Sequence, residues 1–200
     1  MNSEEEIRVI DVTGNPKERE NVLTGAIFPK TKDENGLMVM KDFPFVYRDQ
    51  KIQLAVYYCP YAPVDEAAEK LSDNFLKELT AQGGVFRITD TFNRLVEKIL
   101  IREAGLDDRF IEIIKILAIS QSAKKNPGIA KAVPLFSPKS DDEFQLDFYL
   151  AGTIQGTVPF DRELYRSVEK DFGAMADSTP VTGWVVDSGW VDRMLDQAHQ

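Results

Sequence analysis

Apolar positions recur at short, strand-like intervals over the first 58 residues and at helical intervals from residue 63 onward. Residues 7–12, Ile7-Arg8-Val9-Ile10-Asp11-Val12, have the β-branched content of a strand, and Gly14-Asn15-Pro16 ends it. Residues 22–28 and 36–40 predict two further strands, split by Pro29 and the polar turn Lys32 to Gly36. In that turn, Asn35-Gly36 favours the positive φ of a hairpin. Residues 43–47 and 52–58 predict a second pair joined by Arg48 to Lys51. Ile52, Leu54, Val56 and Tyr58 alternate with Gln53, Ala55 and Tyr57, which suits one buried face. The first 58 residues therefore read as β-rich and antiparallel.

From Pro63, well placed to open a helix, the stripe Val64, Ala68, Leu71, Phe75 and Leu79 predicts a helix that Gly83-Gly84 stops. A short strand, 85–88, leads to a helix with Phe92, Leu95, Val96, Ile99 and Leu100 on one face and Gly105 at its end. Phe110 to Ile119 is apolar nearly all round, and its length and its caps at Asp107 or Asp108 favour a buried helix over a strand. Glu112 and Lys115 share a face of it and read as a surface ion pair. Residues 121–141, broken by Pro127, Gly128, Pro134 and Pro138, read as loop. Phe144 to Leu150 is a strand with Phe144, Leu146 and Phe148 on one side; Asp161 caps a helix; Thr182 to Val186 is a last strand; Ser188 caps a final helix with Trp190, Val191, Met194 and Leu195 inward. The expectation is one α+β domain over residues 1–200. Its β-rich part, 1–58, would be packed with about five helices in a mixed part, 59–200.

Composition narrows the chemistry. The only histidine is His199 and the only cysteine is Cys59. A zinc site of the Cys/His kind cannot be built, and a Ser-His-Asp or Cys-His pair would have to use a chain-terminal residue. No intrachain disulfide can form, and the acidic start of the chain lacks the features of a signal peptide. A cytoplasmic protein that neither enters a membrane nor needs a cofactor or metal is expected. The net charge is −9, and residues 131–200 carry 12 acidic against 6 basic residues. Lys124, Lys125 and Lys131 form the only basic cluster, too small for a nucleic-acid face, and read as a solvated loop.

Cys59-Pro60-Tyr61-Ala62 lies between a predicted strand and a predicted helix. A helix N-terminus there would stabilise a thiolate. The stretch resembles the Cys-Pro-Tyr-Cys signature of glutaredoxins, with Ala62 in place of the second cysteine. The resemblance implies a thioredoxin-like core over roughly residues 52–175 behind an N-terminal extension. Cys59 would be the nucleophile of a monothiol mechanism, and Pro134 of Val133-Pro134 the cis-proline beside it. Asp11-Val12-Thr13-Gly14-Asn15 resembles the nucleophilic-Asp loop of haloacid-dehalogenase-type phosphotransferases, but Thr13 stands where a second carboxylate belongs, and a turn is the better reading. Asp141-Asp142-Glu143 with Asp147 reads as an acidic turn; a metal-dependent phosphoester enzyme using Asp11 or Asp142 ranks third among the functions.

Aromatic residues crowd the β-rich part. Tyr47, Tyr57 and Tyr61, with Trp184 near the C-terminus, are the candidate partner-binding residues, and the strands of 36–58 could offer an open edge to another chain. The leading expectation is a non-catalytic protein acting on another protein, or on a second copy of itself, as an adaptor, inhibitor or assembly component.

Overall fold

The computed structural model describes residues 7–80 and 83–197. His199 and the acidic start, residues 1–6, lie outside them. The fold is α+β, and the chain divides into two compact units, Met1–Val96 and Glu97–Gln200.

The first unit is built on a four-stranded sheet in the order β1-β4-β5-β6, comprising β1 (Val9–Asp11), β4 (Phe45–Asp49), β5 (Leu54–Tyr58) and β6 (Val85–Thr89). The expected hairpin of β4 and β5 is antiparallel, with Tyr47 opposite Val56. β1 and β6 add to it in parallel, so the sheet is mixed and not antiparallel. β5 is buried on both faces, Ala55 and Tyr57 included, because parallel neighbours bring helical crossovers that cover the sheet.

Residues 22–28 do not form a strand. Pro16–Leu23 is helix α1: the Asn15 side chain accepts a hydrogen bond from Glu18 N, and Pro16 occupies the first turn, where its missing N–H costs nothing. The partner of β3 (Met38–Met40) is instead β2 (Lys30–Lys32), in a separate two-stranded sheet. The helix expected from Pro63 is two short ones, α2 (Val64–Glu69) and α3 (Asp73–Leu79). Ser72 caps the second by accepting from Phe75 N; residues 81 and 82 of the expected helix lie outside the described residues. α4 (Phe92–Glu103) runs from the first unit into the second.

The second unit places α5 (Asp108–Lys125), α6 (Arg162–Ser178) and α7 (Ser188–Gln197) with an antiparallel sheet β7-β8-β9. α5 reaches past residue 121, and a 3-10 turn, Pro127–Lys131, follows it. The segment expected to be loop thus ends in a strand, β7 (Val133–Pro138). Its two prolines, Pro134 and Pro138, are tolerated because β7 is an edge strand. β8 (Glu143–Leu150) turns Phe144, Leu146 and Phe148 into the core, as expected, and β9 (Thr153–Asp161) pairs with its other side. Asp161 caps α6, its Oδ1 accepting from Leu164 N. Residues 182–184 form a 3-10 turn instead of a strand, with Gly183 and Trp184 both at left-handed φ of about 62–63°, a conformation no strand contains. Asp187, not Ser188, supplies the side-chain acceptor at the start of α7.

Candidate functional site

Cys59 follows directly on β5. Its backbone N–H donates to Thr89 O at 2.9 Å and its thiol donates to the same carbonyl at 3.4 Å. The residue is 2% exposed. Pro60 to Pro63 separate it from α2, which has six residues and no capping side chain. Burial pushes the thiol up to about 11; the Asp90 carboxylate adds to the rise, and Lys70 opposes it without prevailing. The thiolate expected of a helix N-terminus is therefore disfavoured at neutral pH. Pro134 lies in β7, opposite Phe148, in a different sheet from Cys59.

The carboxylate candidates are engaged locally. Asp11 Oδ1 accepts from Thr13 N at 2.9 Å, and Arg48 Nε stands 3.9 Å from Oδ2. Burial works to raise the Asp11 carboxyl, but Thr13, Arg48 and Gln50 together hold it below its ordinary value. Asp142 bonds Arg162 Nε at 2.8 Å, and Asp147 accepts from Gln145 Nε2 and Thr157 Oγ1. Among the described residues, no three His, Cys, Asp or Glu side chains are grouped to hold an ion.

Of the aromatic candidates, Tyr47 and Tyr57 are packed inside the first unit, and Trp184 is half-buried in the second. Only Tyr61 faces water, at 70% exposure. The inward side of this aromatic region is a cluster of Phe28, Phe43, Phe45, Tyr58 and Phe92 at centroid separations of 5.3–6.3 Å. An aromatic pair in such edge or tilted geometry adds stability beyond the area it buries.

That cluster holds up an element the aromatic reading missed. Phe28 and Phe43 meet edge to face at 5.5 Å, and the chain between them is the β2-β3 hairpin. Arg8 lies over the Phe43 ring at 5.2 Å. Lys41 N donates to Pro29 O at 2.9 Å across the base. Asp42 ties the base to the turn after β5: its carboxylate accepts from Tyr58 OH at 2.7 Å and its carbonyl from Tyr61 OH at 2.6 Å. At the tip, Asp33 Oδ1 accepts from Asn35 N and Leu37 N, and Gly36 takes the left-handed φ of +78° that the turn needs.

With its base fixed, the hairpin presents Leu37, Met38, Val39 and Met40 to solvent at 65, 59, 40 and 56% exposure. Successive strand side chains point to opposite faces, so Met38 and Met40 lie on one face of the hairpin and Val39 on the other, while Tyr61 is bonded to its base through Asp42 O. The run was legible as a strand, but its exposure was not. The available signal was its partner strand, Lys30-Thr31-Lys32, which contributes nothing apolar to bury it.

The second unit contains the opposite arrangement. Lys98 Nζ stands 2.8 Å from Asp108 Oδ2 and 3.4 Å from Glu112 Oε1, and donates to Val186 O at 2.7 Å. Lys115 Nζ stands 2.9 Å from Glu112 Oε1 and 2.7 Å from Glu97 Oε2, while Glu97 Oε1 accepts from Phe136 N. All five side chains are buried, so the Glu112–Lys115 pair expected on the surface lies in the core. Burial alone would lower the Lys115 ammonium, but Glu97 and Glu112 outweigh it and raise it above its ordinary value. An ammonium held in this way has no free lone pair for base or nucleophile chemistry. The network joins α4, α5, β7 and the segment before α7, and acts as a clamp.

Against known protein families, residues 3–115 match the one described as CpXC protein, a span of more than half the chain. The chain belongs to the CpXC family. The matched span contains the hairpin, Cys59-Pro60-Tyr61-Ala62 and the first part of α5. Since Ala62 follows Tyr61, this family member has a single thiol at that turn. No curated protein and no solved structure matches the chain. Among the described residues no helix is long and apolar enough to cross a membrane.

Proposed function

We propose that this CpXC family member is a non-catalytic protein-binding module whose docking element is the hairpin of residues 29–42, extended by Tyr61. The observation that carries the reading is the exposure of four consecutive apolar side chains, Leu37 to Met40, on a hairpin whose base is fixed by Phe28, Phe43 and Asp42. Fully covering a side chain such as Leu or Met contributes about 1.5–3 kcal/mol, so a partner that covers these residues gains what the fold leaves unused. Methionine suits such a surface because its unbranched side chain adapts to the facing shape. A thiol-exchange role for Cys59 would first require the turn after β5 to open and expose the sulfur.

A photo-reactive residue placed at Leu37 in the full chain, in cells that express it, tests the reading. A discrete cross-linked protein is expected at this position, absent from a control position such as Thr153 and lost when Met40→Asp is added. Identical labelling at both positions would overturn the proposal.

A further inference from the structure

Among the described residues no further strand pairs with either edge of the hairpin, and the two edges differ in a way that selects a partner. The bonds Lys41 N to Pro29 O and Asp33 N to Leu37 O flank a ladder in which Thr31 faces Val39. In an antiparallel ladder the hydrogen-bonded pairs alternate with pairs whose backbone groups point outward. Thr31–Val39 is therefore a bonded pair, and the N–H and C=O groups of Lys30, Lys32, Met38 and Met40 point away from the hairpin. The β2 edge carries two lysines, a device that blocks edge-to-edge pairing by placing like charges opposite each other. The β3 edge carries no charge from Leu37 to Met40.

We infer that the β3 edge pairs antiparallel with the β3 edge of a second copy of this chain, about a two-fold axis at Val39. The inference rests on the binding reading above and names its partner. The outward backbone groups of Met38 and Met40 fix the register. Met38 of one copy faces Met40 of the other, each exchanging N–H···O bonds, and Val39 faces Val39 in a non-bonded pair with Cα atoms about 4.5 Å apart. The two hairpins become one four-stranded sheet. On one of its faces each cross-strand row reads Lys, Met, Met, Lys, with the lysine stems lying along the methionines. The charges also complement each other: at the end of the paired edge, Lys41 of each copy comes beside the turn of the other, which carries Asp33 and Glu34. Three-residue strands with so few apolar side chains fall short of the roughly 800 Å² per partner of a stable interface, so the dimer is weak and concentration-dependent.

Sedimentation equilibrium over a wide concentration range, with Val39→Lys and Val39→Glu variants, tests this. The native chain is expected to rise from the monomer mass toward twice that value. Each variant alone is expected to stay at the monomer mass, because two like charges meet at the axis, and the equimolar mixture is expected to recover the dimer and lose it again in high salt. Val39 is exposed, so circular dichroism of both variants should match the native chain. A native chain that stays monomeric throughout, variants that dimerise like the native chain, or a mixture that does not recover would each overturn the inference. A monomeric native chain that still yields a specific cross-link to a different protein from Leu37 would refute self-pairing and leave the binding reading standing.

Discussion

In the first unit, four apolar side chains in a row face water at Leu37 to Met40; in the second, five charged side chains from Glu97 to Lys115 are enclosed. Each departs from the usual partition of apolar inside and charged outside, and the cause differs. The enclosed charges satisfy one another: each ammonium meets two carboxylates, and the acceptor and donor left over find Phe136 N and Val186 O. The network needs nothing from outside the unit. The exposed hairpin is unsatisfied on its own. Its apolar side chains have no cover within the hairpin, and one of its edges lacks the lysines that guard the other. The contrast separates a polar cluster satisfied within the fold from an apolar one that the fold leaves exposed.

Breaking the enclosed network has the largest expected effect. Lys115→Met leaves Glu97 and Glu112 without their shared ammonium and should lower unfolding free energy by about 3–5 kcal/mol, measured by urea denaturation. Replacing Glu97 and Lys115 together with methionine should cost less than Lys115→Met alone, because no buried charge is then left uncompensated by that pair. Loosening the hairpin's base comes next. Phe28→Leu removes the edge-to-face contact with Phe43 and should cost about 1–2 kcal/mol, with faster amide exchange at Thr31 and Val39, the bonded pair of the ladder.

A smaller effect is expected at Cys59. Its folded-state value lies above the ordinary thiol value of about 9, so the thiol's contribution to stability is fully present below pH about 9 and is lost as the pH rises through about 11. Cys59→Ala should remove that part of the alkaline loss, seen as a flatter stability profile between pH 9 and 11. Smallest of all is the effect of Met38→Gln with Met40→Gln: stability should stay within about 0.5 kcal/mol of native, while cross-linking from Leu37 disappears. A large loss of stability here would mean that the hairpin is part of the core, and the comparison between the units would fail.

Much of this was legible from residue spacing. The apolar alternation of Phe144, Leu146 and Phe148, the Asp161 cap and the helical stripe from Phe92 to Leu100 are local signals, and each element formed where its own side chains dictated. What escaped depended on partners distant in sequence. Asn15-Pro16 was legible as the end of a strand but equally starts a helix, and the choice fell to the Asn15 cap on Glu18 N. Ala55 and Tyr57 are buried because β6 arrives in parallel from far along the chain, Phe86 beside Ala55 and Ile88 beside Tyr57, bringing a helical crossover with it. Glu112 and Lys115 looked like a surface pair because their further partners, Glu97 and Lys98, lie on another helix; two opposite charges interrupting each of two apolar helical runs was the available hint. Tyr47 and Tyr57 were candidates by residue type, and the sheet's cover took them out of reach, leaving Tyr61 as the exposed one of the three tyrosines.

The account holds that the chain offers a surface and hides its thiol. The pH dependence of Cys59 alkylation in the native protein tests this most directly. The account predicts slow labelling at neutral pH and a titration near 11. Rapid labelling with a titration below about 7, the mark of a stabilised thiolate, would contradict it.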